Sequence, residues 1–134
     1  MSAKKIVKAF YDSNLAKDEN LIDMFHNDCV LHWNSSQGFT TLNKSEIEEK
    51  LNGVKESYLS FTYRLSHLLE DDNIVTARYT IYYTTIERPL KEEPLAHFIS
   101  IWEIKDGKMY KGYEISQKLD ESVENLTSFS KIKI

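Results

Sequence analysis

Between Ala3 and Ala16 the apolar residues Ile6, Val7, Phe10, Tyr11 and Leu15 recur at three- and four-residue spacing. That spacing draws one stripe down a cylinder and predicts a first helix. Asp18 is a good N-cap for a short second helix carrying Leu21, Ile22, Met24 and Phe25 and ending near Asn27 and Asp28. Cys29 to Asn34 reads as a strand, and Ser35 to Leu42 as a polar connection. Asn43 and Glu46 then have the spacing of a capping box ahead of Ile47, Leu51 and Val54, the stripe of a third helix.

From Tyr58 onward the period changes from helical to alternating. β-branched and aromatic residues dominate to Leu119, interrupted by turn signals at Asp71-Asp72-Asn73, at Arg88 to Pro94 and at Asp106-Gly107. Four strands in a meander follow: Tyr58 to Glu70, Ile74 to Glu87, Leu95 to Lys105 and Lys108 to Leu119. With a turn at Asp71 to Asn73, one face of the first hairpin carries Phe61, Tyr63, Leu65, His67 and Leu69 opposite Val75, Ala77, Tyr79, Ile81 and Tyr83. This face is expected to meet the helices. The tail from Asp120 to Ile134 is polar until Ile132 and Ile134, and its pattern fits a frayed end, a short helix or an added edge strand equally.

The pattern therefore predicts an α+β protein, a single domain over residues 1–134 with its core in 3–119: three N-terminal helices, then an antiparallel sheet. Leu95 to Ile104 is apolar on both faces, with Ala96, Phe98, Trp102 and Ile104 on one and Ile99 and Ile101 on the other. A strand buried on both sides of a sheet with helices on one side needs a second cover. A homodimer through the outer face of the sheet is the simplest.

Composition narrows the function more than the fold. The formal charge of -4 disfavours a phosphate backbone or an anionic bilayer, so neither nucleic acid nor membrane is expected as a partner. A single cysteine, Cys29, permits no internal disulfide, and Lys4 and Lys5 run straight into the amphipathic pattern without a leader, so cytoplasmic residence is the expectation.

Two stretches, Leu21 to Val30 (LIDMFHNDCV) and His97 to Met109 (HFISIWEIKDGKM), in the order helix, helix, strand, helix and meander, resemble the nuclear transport factor 2-like superfamily, with its SnoaL-like and ketosteroid isomerase branches. The resemblance covers residues 3 to 119. The phrases CVLHWNSSQG and PLAHFISIWEIKDGKMYKGYEISQ further resemble a bacterial subgroup without known activity. It implies a cone-shaped, curled antiparallel sheet wrapped around the three N-terminal helices, with a pocket between the first helix and the concave face. In the isomerase branch a carboxylate base, a tyrosine and a protonated acid do the chemistry. The matching positions here hold Trp33, Phe10 and either Ala96 or Ile99, which neither abstract nor donate the required proton. Fold alone does not name a reaction.

Within such a pocket, Trp33, Tyr63, Tyr79, Tyr83, Trp102 and Tyr113 offer flat apolar surfaces with polar tips, suited to an apolar or aromatic ligand. Ordinary core packing is the competing reading for each. His67 is the one titratable side chain expected inside the first hairpin, where it would bind ligand or act as general base, against the alternative of a satisfied buried imidazole. His26, Cys29 and His32 have a spacing that suggests zinc. Along a strand, however, Cys29 and His32 point to opposite faces, so no metal and no cofactor is expected. Arg78, His97 and Glu103 are expected outside; a register slip of one residue would pair His97 with His67, as in the histidine-based dehydratases of the superfamily. The leading reading is a small-molecule-binding protein. The alternatives are an isomerase, dehydratase or cyclase-like lyase using His67 for proton transfer with Tyr63 or Tyr83 as donor, and a protein-interaction module.

Overall fold

Ser2 accepts a hydrogen bond from the Lys5 amide and caps α1, Ala3–Tyr11, which buries Val7, Phe10 and Tyr11. A computed structural model describes residues 2–119 and 122–131 of the chain. The first helix stops short of the expected Ala16 because Asn14 diverts the backbone. Its Oδ1 accepts from the amides of Ala16 and Phe61, and the Leu15 amide donates to the Phe61 carbonyl. Asparagine offers the chain a local alternative to helix. The second helix is reduced to a single 3-10 turn, Leu21–Met24, preceded by Asn20 in the left-handed region (φ 61°). Phe25 already belongs to strand β1, Phe25–Ser35.

The segment expected to be a polar connection contains an edge strand, β2, Gly38–Asn43, in which only Leu42 is buried. An edge strand with one buried side chain has no alternation to read. α2, Lys44–Ser57, opens with the expected capping box: Asn43 Oδ1 accepts from the Glu46 amide at 2.9 Å and Glu46 Oε1 from the Asn43 amide at 3.0 Å. The meander follows as β3 (Ser60–Asp71), β4 (Ile74–Thr84), β5 (Glu93–Lys105) and β6 (Lys108–Lys118). Asp106 and Gly107, both at positive φ, make the last hairpin turn.

The six strands form one curled, unclosed sheet in the order β2-β1-β6-β5-β4-β3. It is antiparallel except where β1 lies parallel to β6, a pairing that the expected all-antiparallel sheet did not include. α1 packs on β3, β4 and β6, and α2 packs on β1, β2 and the 3-10 turn. The expectation of three helices enclosed by the sheet is corrected in number and place. Two α-helices precede the meander, and the third, α3, Val123–Lys131, follows it.

α3 lies on the outer face. Phe129 stacks on the His97 ring at 4.1 Å, and the Arg78 guanidinium lies 3.7 Å from the Phe129 centroid. Part of the cover expected from a second subunit is thus supplied by the chain itself. Ile99, Ile101, Tyr113 and Ile115, which lie beside it, stay exposed, from 40% at Ile101 to 60% at Ile115. Ile132 and Ile134 fall outside the described residues.

Candidate functional site

A cavity of about 170 Å³ opens between the inner face of the sheet and the two N-terminal helices, lined mainly by apolar side chains from α1, α2 and strands β1 to β5. Trp33, Tyr63, Tyr79 and Trp102 all line it. Two charged residues reach it: Lys50 from α2 and Glu114 from β6.

Glu114, half-buried, sits at the edge of a polar network whose other members are buried. Its Oε2 accepts from Ser100 Oγ at 2.8 Å and from the Tyr79 hydroxyl at 3.2 Å, and those two hydroxyls lie 2.8 Å apart. Behind them, Tyr11 donates toward Tyr79 at 3.4 Å and accepts from Trp102 Nε1 at 3.1 Å. Burial raises the Glu114 pKa above the ordinary carboxylate range, and the hydrogen bonds from Ser100 and Tyr79 oppose it. The phenols of Tyr11, Tyr63 and Tyr79 are also pushed up, first by burial in each case, with Glu114 adding to all three and Tyr11 adding to the other two. The cavity therefore favours neutral groups, and a Glu114 carboxyl kept neutral gains an O–H to donate.

Packing places these groups. The Tyr79 ring stacks on Phe98 with centroids 5.3 Å apart and 4° between planes, while Tyr11 meets Tyr63 edge-on at 4.9 Å. Trp102 lies against the β6 backbone at Gly112, where an added Cβ would come within 2.6 Å of the indole. Glycine is required there by close approach, and the indole N–H is thereby aimed at Tyr11.

Three expected site residues lie elsewhere, and two of them are displaced by β-bulges. In β3, Leu65 pairs with Tyr79 but His67 pairs with Arg78, leaving Ser66 as the extra residue. The slip turns His67 to the outer face, beside Ser66 Oγ at 2.9 Å from its Nδ1. His67 is therefore not among the residues that line the cavity. In β6, Ile104 pairs with Met109 and Glu103 with Lys111, so Tyr110 is extra. Tyr113 consequently points outward, 48% exposed, and Glu114 turns inward. Tyr83 keeps the inner face but lies beyond the cavity, edge-on to Tyr58 and donating to Glu93 at 3.2 Å.

Sequence reasoning missed Glu114, Ser100 and Tyr11. One signal was present: Ser100 interrupts the apolar face formed by Phe98, Trp102 and Ile104, and a lone hydroxyl among apolar neighbours needs a partner. His97 faces outward as expected, between Thr80 Oγ1 at 2.7 Å and the Asn125 carbonyl at 2.7 Å. The zinc-like spacing does not assemble: His26 approaches Asp106 at 3.3 Å, Cys29 is buried, and His32 stacks on Tyr113.

A curled sheet with helices on its concave side and a cavity between them defines a nuclear transport factor 2-like protein. The model of the SnoaL-like domain matches residues 7–111, and the chain belongs to that family. Among solved structures it is similar to IdmH of Streptomyces antibioticus, described as a candidate polyketide cyclase, at 11% identity and a TM-score of 0.69, covering 98% of this chain and all of that one. It is also similar to a phenazine biosynthesis-related protein of Pseudomonas aeruginosa (14% identity, TM-score 0.68, 98% of this chain and 82% of that one). An LEH-like epoxide hydrolase of M. tuberculosis is similar at 14% identity and a TM-score of 0.63, over 95% of this chain and 87% of that one. No curated protein matches the chain. At such identities these likenesses concern the fold.

Proposed function

We propose that the protein binds a small, largely apolar, ring-containing molecule in the cavity and holds one oxygen of it at Glu114. The observation that carries this reading is the Glu114 carboxyl, hydrogen-bonded by Ser100 and Tyr79, in a cavity lined, Lys50 apart, mainly by aromatic and aliphatic side chains. An apolar site with one well-placed polar group orients a ligand without repelling it. A panel of phenols, aromatic ketones and apolar carboxylates tests it by thermal shift. A binder at a hundred times its Kd stabilises the fold by about 2.7 kcal/mol, and Glu114→Ala should weaken that binder at least tenfold, about 1.4 kcal/mol. No stabilisation by any member of the panel overturns the reading.

A second reading is supported by the same carboxyl. A neutral acid beside the hydroxyls of Tyr79 and Ser100 suits proton transfer to a bound carbonyl, as general acid catalysis requires. Glu114→Gln separates the two, because it keeps the acceptor but carries no transferable proton. Binding retained with turnover lost assigns chemistry to Glu114; turnover retained removes it. Homodimer formation and cytoplasmic residence belong to the same proposal, supported by the exposed isoleucines of the outer face and by the acidic composition with one cysteine.

A further inference from the structure

At about 170 Å³ the inner cavity is small for a ligand site. An engineered apolar cavity of about 150 Å³ takes one benzene, whereas sites for drug-sized molecules begin near about 300 Å³. One ring fills it. Whatever else the ligand carries needs space elsewhere.

That space adjoins. A second cavity of about 300 Å³ shares Trp33, Phe61, Ile81 and Phe98 with the first, so only side chains separate the two. The rest of its lining is partly polar, with the Ser35–Gln37 turn between β1 and β2, Ser116 and Lys118. Trp33 stands in the partition, half-buried, its ring 6.2 Å from that of Phe98 and its N–H donating to Ser116 Oγ at 2.9 Å. Its side chain packs against the core and lines both cavities.

The charges assign direction. A ligand carboxylate would lose its hydration in the largely apolar inner cavity, whereas in the second cavity it meets the Lys118 ammonium. We propose that the two cavities are one site for an elongated aromatic carboxylic acid, ring inward at Glu114 and carboxylate outward at Lys118, with Trp33 as the gate between them. This rests on the inner cavity being a binding site.

The test uses phenol and the unbranched ω-phenylalkanoates from phenylacetate to phenylhexanoate, titrated calorimetrically against the full chain. Affinity should rise with chain length to an optimum at least tenfold tighter than phenylacetate, where the carboxylate reaches Lys118. Lys118→Glu should lower the affinity of that optimal acid relative to phenol by about tenfold, the scale of one charge-assisted contact. Trp33→Ala should speed association of the long acids; Trp33→Phe, which preserves the stacking but not the bond to Ser116, should do so partially and guards against a folding defect. Phenol binding through Glu114 with acids flat in chain length and indifferent to Lys118→Glu overturns the joined site and leaves the single-ring reading standing. Loss of the acid on Lys50→Glu instead would place the carboxylate at the α2 side and equally overturn it. If neither phenol nor any acid binds, the inner-cavity reading itself falls.

Discussion

At Glu114 the fold holds a carboxyl where its charged form is penalised, and that has a pH signature. The folded pKa lies above the ordinary glutamate value, so the stabilisation is complete below about pH 4 and is lost as pH rises through the folded value. Glu114→Gln preserves acceptors for Tyr79 and Ser100 and cannot ionise. The variant should therefore gain in Tm relative to the parent as pH increases from about 4; parallel melting curves across the range would mean the carboxyl ionises as freely folded as unfolded. Tyr11 offers a second residue-scale test. Its oxygen is the acceptor for Trp102 Nε1, a donor buried with the indole. Tyr11→Phe strands that donor and should cost about 1–3 kcal/mol in chemical denaturation. In a double-mutant cycle with Trp102→Phe the two losses should not add.

Among the elements, the bulges matter more than the strands. An extra residue in β3 and another in β6 reverse the facing of everything beyond them, which exchanges His67 and Tyr113 for Leu68 and Glu114 on the inner face. The β6 bulge also brings Gly112 opposite Trp102. Gly112→Ala forces a Cβ into the indole and should destabilise by about 1–3 kcal/mol, as overpacking does. Combining it with Trp102→Phe should recover part of the loss; no recovery would place the strain elsewhere. On the other face, α3 is held to the sheet by Phe129 between His97 and Arg78. Phe129→Ala removes a ring stack and a cation–π contact, and amide exchange along Leu126 to Ser130 should speed up severalfold while β4 and β5 stay protected.

For the whole molecule, the outer face decides the assembly. α3 covers the Arg78 and His97 side, and Ile99 with Ile115 and Ile101 with Tyr113 form cross-strand pairs left open to solvent. Light scattering at micromolar concentration should report a dimer, and Ile101→Lys should shift it to monomer with little change in the cavity. A monomeric parent protein would mean that α3 is all the cover the sheet requires.

Local spacing was enough for the start of α1, the capping box of α2, the strands flanking the three meander turns, and the outward side of His97, because each depends on local spacing or on a turn whose residues announce it. It also placed Tyr63 and Tyr79 on one face of the first hairpin. It could not locate the bulges: an inserted residue leaves composition and alternation intact and reveals itself only when the partner strand is in place. The parallel contact of β1 with β6, the docking of α3 and the inward turn of Glu114 are likewise long-range. Local sequence determined where α1 begins and where α2 and the meander strands lie; tertiary pairing decided which side chains share the cavity, because a shift of one residue in register reverses a strand's two faces.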